Sequence, residues 1–329
     1  MRFGTVALVG RTNVGKSTLL NATLGVPLAI VSHRPQTTRD ALLGVLTRDD
    51  SQIALLDTPG LRRPHSELAR RLNTAALQAA RSADLLLFMT DRHEAEAEST
   101  GGEPAAPVVD PDDRQVLDLT LTAAPCVALI NKVDRLSNKS QLLPMIEALT
   151  RYHDFAAIMP VSVTRPDDVE RVLAEIQKLL PEGPPGYETD TLTDRPSSFF
   201  VREYVREQVL LSAKGEVPHA VAVAVESIHT SRDLTVIKAT LHVQKPGQRK
   251  ILVGRNGTQI RAIGIGARQR IEALLGCRVH LELFVRVSPR WKDLPRQLAE
   301  LGYPAPESVG EHPVTPAWPA APPRRRKRS

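Results

Sequence analysis

Short, wholly apolar runs alternate along the first half of the chain with longer stretches in which apolar positions recur every three or four residues. Val6-Ala7-Leu8-Val9, Gln52-Ile53-Ala54-Leu55-Leu56, residues 84–89, Cys126-Val127-Ala128-Leu129-Ile130 and Ala156-Ala157-Ile158-Met159 have the length and content of buried strands. Residues 16–24, 65–82, 111–123 and 168–180 have helical spacing. Strands that alternate with helices predict an α/β unit with a parallel, doubly wound sheet. The rhythm changes after residue 196. A helical stretch at 198–212 is followed by paired strands at 220–228 and 234–243, helices at 258–264 and 267–275, and a strand at 279–287. That order predicts a separate α+β unit.

Three segments lack apolar periodicity and mark the joints. Residues 91–113 are dominated by Glu, Ala, Pro, Gly and Ser and read as a disordered surface insertion. Residues 181–196 are a Pro/Gly-rich polar connector. Residues 304–329 are Pro-rich, end in Arg324-Arg325-Arg326-Lys327-Arg328, and read as a disordered basic tail. The expected organisation is a first domain at 1–180, a linker at 181–196, a second domain at 197–303 and the tail.

The loops after the strands carry the chemistry. Gly10-Arg11-Thr12-Asn13-Val14-Gly15-Lys16-Ser17 lies between the first strand and the first helix, the context in which G-x-x-x-x-G-K-[ST] cradles phosphate. Its backbone N–H groups curl around an anion, Lys16 lies against the β- and γ-phosphates, and the Ser17 hydroxyl ligates Mg²⁺. Val14 and Thr18 complete the cradle. In the polar stretch 32–40, Thr38 is the hydroxyl expected to close onto Mg²⁺ when a γ-phosphate is present, with Thr37 as its neighbour. The strand at 52–56 ends in Asp57-Thr58-Pro59-Gly60, which places a carboxylate by the metal and the Gly60 N–H by the γ-phosphate. Leu61 stands where many GTPases carry a water-positioning Gln, so the side chain that orients water is absent from its usual place.

The strand at 126–130 empties into Asn131-Lys132-Val133-Asp134. A carboxylate there accepts from both N1–H and the exocyclic amine of guanine, which selects GTP over ATP. Ser162 and Val163 follow the next strand and offer a backbone N–H to the guanine O6. The nucleotide set is therefore Gly10, Asn13, Val14, Gly15, Lys16, Ser17, Thr18, Asp57, Gly60, Asn131, Lys132, Asp134, Ser162 and Val163. Within it Ser17, Thr38 and Asp57 form the metal set, and Lys16, Asn13, Thr38 and Gly60 the catalytic one.

Charge separates the two halves. The chain of 329 residues has a net charge of +6, yet residues 249–290 alone hold nine Arg or Lys against Glu272 and Glu282, and the tail adds five more cations. A polyanion partner for the C-terminal half follows. Within that basic region Gly254-Arg255-Asn256-Gly257 joins two helices, a turn that lets a nucleic-acid backbone approach closely. Arg261 on the following helix extends the RNA-contacting set. A lone G-x-x-G is weak, but the order helix, strand, strand, helix, G-x-x-G, helix, strand is that of a type II KH domain. Cys126 and Cys277 lie far apart in apolar runs, so neither a disulfide framework nor a metal knuckle is indicated. The chain opens directly into a strand and has no apolar run of spanning length, so a cytoplasmic location is expected.

Taken together, Gly10 to Ser17, Gln36-Thr37-Thr38-Arg39, Asp57 to Gly60, Asn131 to Asp134 and Thr193-Asp194-Arg195-Pro196 resemble the translation-factor-related bacterial GTPases, and among them the Era-like GTPases. The similarity continues through Trp291-Lys292-Asp293 and Leu301-Gly302-Tyr303. Leu61 fits it, because such GTPases carry a hydrophobic residue there. Asn13 matches the loop Asn that some relatives use to hold K⁺, which makes K⁺ a second candidate cation beside Mg²⁺. Thr12 in place of Pro, and Val163-Thr164 in the guanine loop, depart from the pattern. The resemblance implies a monomeric GTP/GDP switch that binds small-subunit (16S) ribosomal RNA near its 3′ end during assembly of the 30S subunit. It also admits peripheral association with the inner face of the cell membrane. The alternatives are a GTPase serving tRNA modification and a nonhydrolysing RNA-binding module.

Overall fold

The computed structural model describes residues 1–32, 34, 37–61, 64–91, 109–231 and 234–303. Gln36, most of the expected 91–113 insertion and the 304–329 tail lie outside these residues. The chain divides into two compact units, one made of Met1–His65 with Ala69–Thr193, the other of Ser66–Leu68 with Asp194–Ser329.

The first unit follows its apolar runs closely. Its elements are β1 (Arg2–Gly10), α1 (Lys16–Leu24), β2 (Leu42–Thr47), β3 (Ser51–Asp57), α2 (Glu67–Ser82), β4 (Leu85–Asp91), α3 (Pro111–Thr120), β5 (Cys126–Asn131), α4 (Leu142–Tyr152), β6 (Ala157–Pro160) and α5 (Pro166–Leu179). The strands form one sheet in the order β2-β3-β1-β4-β5-β6. β1 pairs in parallel on both sides, with Val6 opposite Leu55 of β3 and Leu85 of β4. Val6, Ala7, Leu8 and Val9 are at most 1% exposed, as a central parallel strand covered on both faces requires. Val6, Leu8 and Val9 each contribute about 1.5–3 kcal/mol by leaving water. Because every parallel strand ends at the same edge, Gly10, Asp57, Asp91 and Asn131 all terminate there.

The first unit departs from the sequence expectations at several places, beginning with α4, which lies where no helix was expected. β2 was not foreseen, since Gly44 interrupts its short apolar run; it joins as an edge strand antiparallel to β3. The segment 91–113 is structured at both ends: Asp91 is the last residue of β4, and α3 begins at Pro111. Asp110 caps α3 by accepting from the N–H groups of Asp112 and Asp113, with Pro111 in the first turn. The connector after residue 180 is strapped to the sheet rather than free. Phe3 N–H donates to the Pro181 carbonyl at 3.1 Å, Gln52 bonds the backbone of Gly186 and Tyr187, and Val45 N–H donates to the Leu192 carbonyl at 2.9 Å.

The second unit contains α6 (Ser197–Ser212), β7 (Ala222–Ser231), β8 (Leu234–Val243), α7 (Pro246–Val253), α8 (Thr258–Leu275), β9 (Arg278–Val287) and α9 (Pro295–Glu300). β7 and β8 are antiparallel, with a bulge between Val225 and Ser227, and β9 adds in parallel to β8. Trp291 is fully buried and donates its indole N–H to the Ala220 carbonyl at 3.0 Å. The two helices expected at 258–264 and 267–275 are one continuous helix. The helix runs through both glycines: a Cβ at Gly266 would stand 2.2 Å from Gln208 Oε1, the end of a flexible side chain of α6, and one at Gly264 would make an ordinary 3.6 Å contact with Leu283.

Candidate nucleotide and RNA sites

The phosphate loop leaves β1 at Gly10 and enters α1 at Lys16, so its shape is set by the short span between a buried strand and a helix N-terminus. Gly10 has φ 151°, and a Cβ there would lie 2.3 Å from the Met89 carbonyl oxygen, which only glycine avoids. Asn13 and Gly15 also take positive φ, at 66° and 110°. Lys16 is buried, and its Nζ donates to the carbonyls of Gly10 (3.0 Å) and Arg11 (2.7 Å). Burial lowers the Lys16 ammonium to about 8, opposed by the nearby Asp57, Asp113 and Asp91. An anion at this helix N-terminus would restore its full charge.

Ser17, Thr38 and Asp57 come together from a helix, a loop and a strand end. Ser17 Oγ donates to Asp57 Oδ2 at 2.6 Å and lies 2.9 Å from Thr38 Oγ1, which is itself 3.3 Å from Asp57 Oδ2. Asp57 is fully buried, and burial raises its carboxyl against the hydrogen bond from Ser17, the charge of Lys16 and the hydrogen bond from Thr38. Its Oδ1 is buried without a hydrogen-bond partner among the described residues. Three hard oxygen donors and an orphaned carboxylate oxygen are a set that fits Mg²⁺. Gly60 lies against the loop: a Cβ on it would meet the Thr12 N at 2.8 Å. Leu61, by contrast, is 8% exposed and packs into the apolar core with Ala76, Ala80 and Phe88. It faces the protein interior, where it can orient no water.

The guanine loop is tied to the same framework. Asn131 donates from Nδ2 to the Val14 carbonyl at 2.7 Å and accepts at Oδ1 from Val163 N–H at 3.1 Å. Lys132, at φ 61°, donates from Nζ to the Asn13 carbonyl at 2.8 Å and pairs with Asp91. Asp134 is exposed, and hydrogen bonding from Ser162 holds its carboxyl below the usual range. Ser162 is positioned in turn by Asp168, whose Oδ2 accepts from its N–H at 2.9 Å.

In the second unit the turn 254–257 passes between α7 and α8. Gly254 takes φ 74°, and a Cβ there would meet the Gln259 N at 2.8 Å, so its role is local. Asn256 and Gly257 also have positive φ, and a Cβ on Gly257 would meet nothing within 4 Å. Gly257 caps α8 and opens onto a groove of about 430 Å³ between α8 and β9. Ile260, Ile265, Leu281 and Leu283 are among its apolar lining residues, and Arg261, Arg268 and His280 line it as well. Arg255 and Asn256 are exposed beside it.

The chain is similar to known proteins over most of its length. Residues 5–132 match the family described as 50S ribosome-binding GTPase, and residues 216–292 match the KH domain. The GTPase Era of Lactobacillus helveticus is 39% identical over 302 residues, covering 91% of this chain and 95% of that one. That of Synechocystis sp. is 39% identical over 305 residues, covering 92% of each chain. The chain belongs to the Era family of GTPases. Two solved Era structures superpose with a TM-score of 0.84 at 33% identity over 92% of this chain: an Aquifex aeolicus Era variant bound to GDP·AlF₄⁻, and Era in complex with MgGDPNP and nucleotides 1506–1542 of 16S ribosomal RNA. This Era-family protein hydrolyses GTP, and no helix among its described residues is long and apolar enough to cross a membrane.

Reasoning from sequence missed Gly264, Arg268 and His280 in the groove, and Arg11, Asp91 and Asp113 beside the phosphate loop. The first group needed the packing of α8 on β9 to become visible. The second was legible in part, since Asp110-Pro111-Asp112-Asp113 has the cap, proline and acidic first turn of a helix start.

Proposed function

We propose that the protein is a GTP-operated switch that binds the 3′ region of 16S ribosomal RNA and acts in assembly of the 30S subunit. The observation that carries this reading is the presence in one chain of the Ser17–Thr38–Asp57 constellation and of the α8–β9 groove beside Gly257. The similarity to an Era bound to both MgGDPNP and 16S ribosomal RNA supports it. Ser17 and Thr38 would hold Mg²⁺, with Asp57 behind them, and the bound ion neutralises charge on the β- and γ-phosphates. Lys16 leaves the carbonyls of Gly10 and Arg11 for the same phosphates. The Gly60 N–H meets the γ-phosphate, Asp134 takes the base, and Asn131 joins the two loops. Thr38 and Gly60 then release together once the γ-phosphate is gone.

With Leu61 in the core, the attacking water would be ordered by the loop itself, and Asn13, the loop Asn that some relatives use for K⁺, would hold that ion here. In the second unit Gly257, Asn256, Arg255 and Arg261 receive the RNA backbone while the apolar lining receives bases. The reading treats the protein as a monomer, which sedimentation tests, and vesicle flotation tests peripheral membrane association. The decisive measurement is affinity, with GDP and with a nonhydrolysable GTP analogue, for an RNA ending in the 16S 3′ sequence against a scrambled RNA. Selective binding strengthened by the GTP analogue is expected. Equal binding of both RNAs in both nucleotide states would overturn the RNA assignment, and turnover in K⁺ equal to that in Na⁺ would remove K⁺ from the mechanism.

A further inference from the structure

A buried charge cluster joins the phosphate loop to the guanine loop through residues that have no assigned role. Arg11, Asp91 and Asp113 are each at most 8% exposed. Arg11 donates from Nε to Asp113 Oδ1 at 2.7 Å and from Nη2 to the Asp91 carbonyl at 3.0 Å. Its Nη2 is 3.4 Å from Asp91 Oδ1, and its Nη1 is 3.8 Å from Asp110 Oδ2. Thr90 Oγ1 donates to the other oxygen of Asp113 at 2.5 Å. Asp91 Oδ2 pairs with Lys132, whose Nζ also reaches the Asn13 carbonyl at 2.8 Å.

Asp91 thus grips the phosphate loop through Arg11 and the guanine motif through Lys132. Asp113 fixes the other side of the Arg11 fork. The backbone carbonyl of this clamped Arg11 is the one that receives Lys16 Nζ at 2.7 Å. Buried ion pairs add little net stability against well-packed apolar groups, so the main consequence of the cluster is geometric.

We propose that Asp91 and Asp113 are positioning residues for GTP turnover, which act through Arg11 and Lys132 to hold the phosphate loop and the guanine motif in one fixed relation. The proposal rests on the nucleotide site described above. A loosened clamp leaves both loops present but no longer preorganised, so nucleotide binding suffers more than the chemical step.

Burial pushes the Asp113 carboxyl up to about 6, opposed by the charge of Arg11 and by hydrogen bonds from Thr90 and Arg11, with Asp110 adding to the rise. The groups around it are Arg11 of the phosphate loop, Thr90 and Asp91 of β4, Asp110 at the cap of α3, and Lys16 of α1. Below about 6 Asp113 takes up a proton and loses its ionic grip on Arg11. Stability moves the other way. A carboxyl raised in the folded state favours the fold when protonated, and that contribution disappears as pH rises through about 6.

The test compares KM and kcat for GTP in the full chain, between about pH 5.5 and 8, for wild type, Asp91→Asn, Asp113→Asn, Arg11→Gln and the Arg11→Gln/Asp113→Asn pair. At the upper pH each single variant is expected to raise KM roughly tenfold with kcat changed less than about threefold, and the pair to be no worse than Arg11→Gln alone. The terminal phosphate of GTP titrates in every arm, so the ratio of KM in Asp113→Asn to that in wild type is the observable. It should fall toward one at the acid end, and Asp113→Glu should recover part of the loss. The pair removes both charges at once and keeps the test usable if a single variant folds poorly. A KM ratio that stays constant with pH, or additive effects in the pair, would overturn the clamp. Failure of the site itself would look different, as undiminished turnover in Lys16→Ala.

Discussion

Asp57 is fully buried and gathers Ser17 and Thr38 within 3.3 Å, whereas Arg255, Asn256 and Arg261 stand exposed around an open groove of about 430 Å³. The first site is built on strand ends that the sheet brings to one edge. The second offers a turn, an apolar lining and loose cations. Buried polar groups tolerate little change, because each one left unpaired costs about 1–3 kcal/mol. An open basic groove loses affinity one contact at a time.

Four substitutions probe that contrast, in order of expected effect. Lys16→Ala removes the ammonium proposed to meet the β- and γ-phosphates, so GTP turnover should fall by more than about a hundredfold while the circular-dichroism spectrum is kept. Turnover near wild type would show that the buried site is not the reactive one. Asp134→Asn replaces the acceptor pair for guanine with an amide, and the ratio of GTP to XTP affinity should invert, a change of about a hundredfold or more. A retained GTP preference would separate Asp134 from the base.

Gly257→Asp sets a charge where a Cβ has open space but φ is 76°, a left-handed strain that Asp bears better than most residues, so the chain should lose some stability while the fold and GTP binding survive. RNA affinity should drop by roughly tenfold, more at low salt than at high. Equal RNA binding in both proteins would move the interface away from the turn. Leu61→Ala is the smallest in function and still informative. Emptying a core position should cost about 2–4 kcal/mol in urea unfolding with kcat changed less than about threefold. A collapse of kcat with stability intact would return Leu61 to the attack on GTP.

Much of the nucleotide site was legible because its residues are local in sequence: a loop of eight residues, Asp57-Thr58-Pro59-Gly60 and Asn131-Lys132-Val133-Asp134 each follow a recognisable apolar strand. Arg11 carries no such signal, since the position between Gly10 and Thr12 accepts many side chains until its partners are known. Those partners, Asp91 and Asp113, bracket a polar segment whose composition hides a strand end and a helix cap. The groove beside Gly257 was legible only at its turn. Gly264 and Gly266 read as helix breaks, because glycine weakens an isolated helix by about 1 kcal/mol relative to Ala and nothing local shows what they pack against.

The sequence by itself determined the alternation of strands and helices, the nucleotide and its base, the change of rhythm after residue 196 and the basic character of the second half. All of these depend on periodicity or on short motifs, which are properties of neighbouring residues. Only the tertiary structure decided that Leu61 lies in the core, that α8 runs unbroken past Gly264 and Gly266, that the connector is strapped to β2 and β3, and that Asp91 and Asp113 close on Arg11. Each of these depends on groups far apart in the chain meeting out of water, where an ion pair or a missing Cβ gains its weight from what surrounds it.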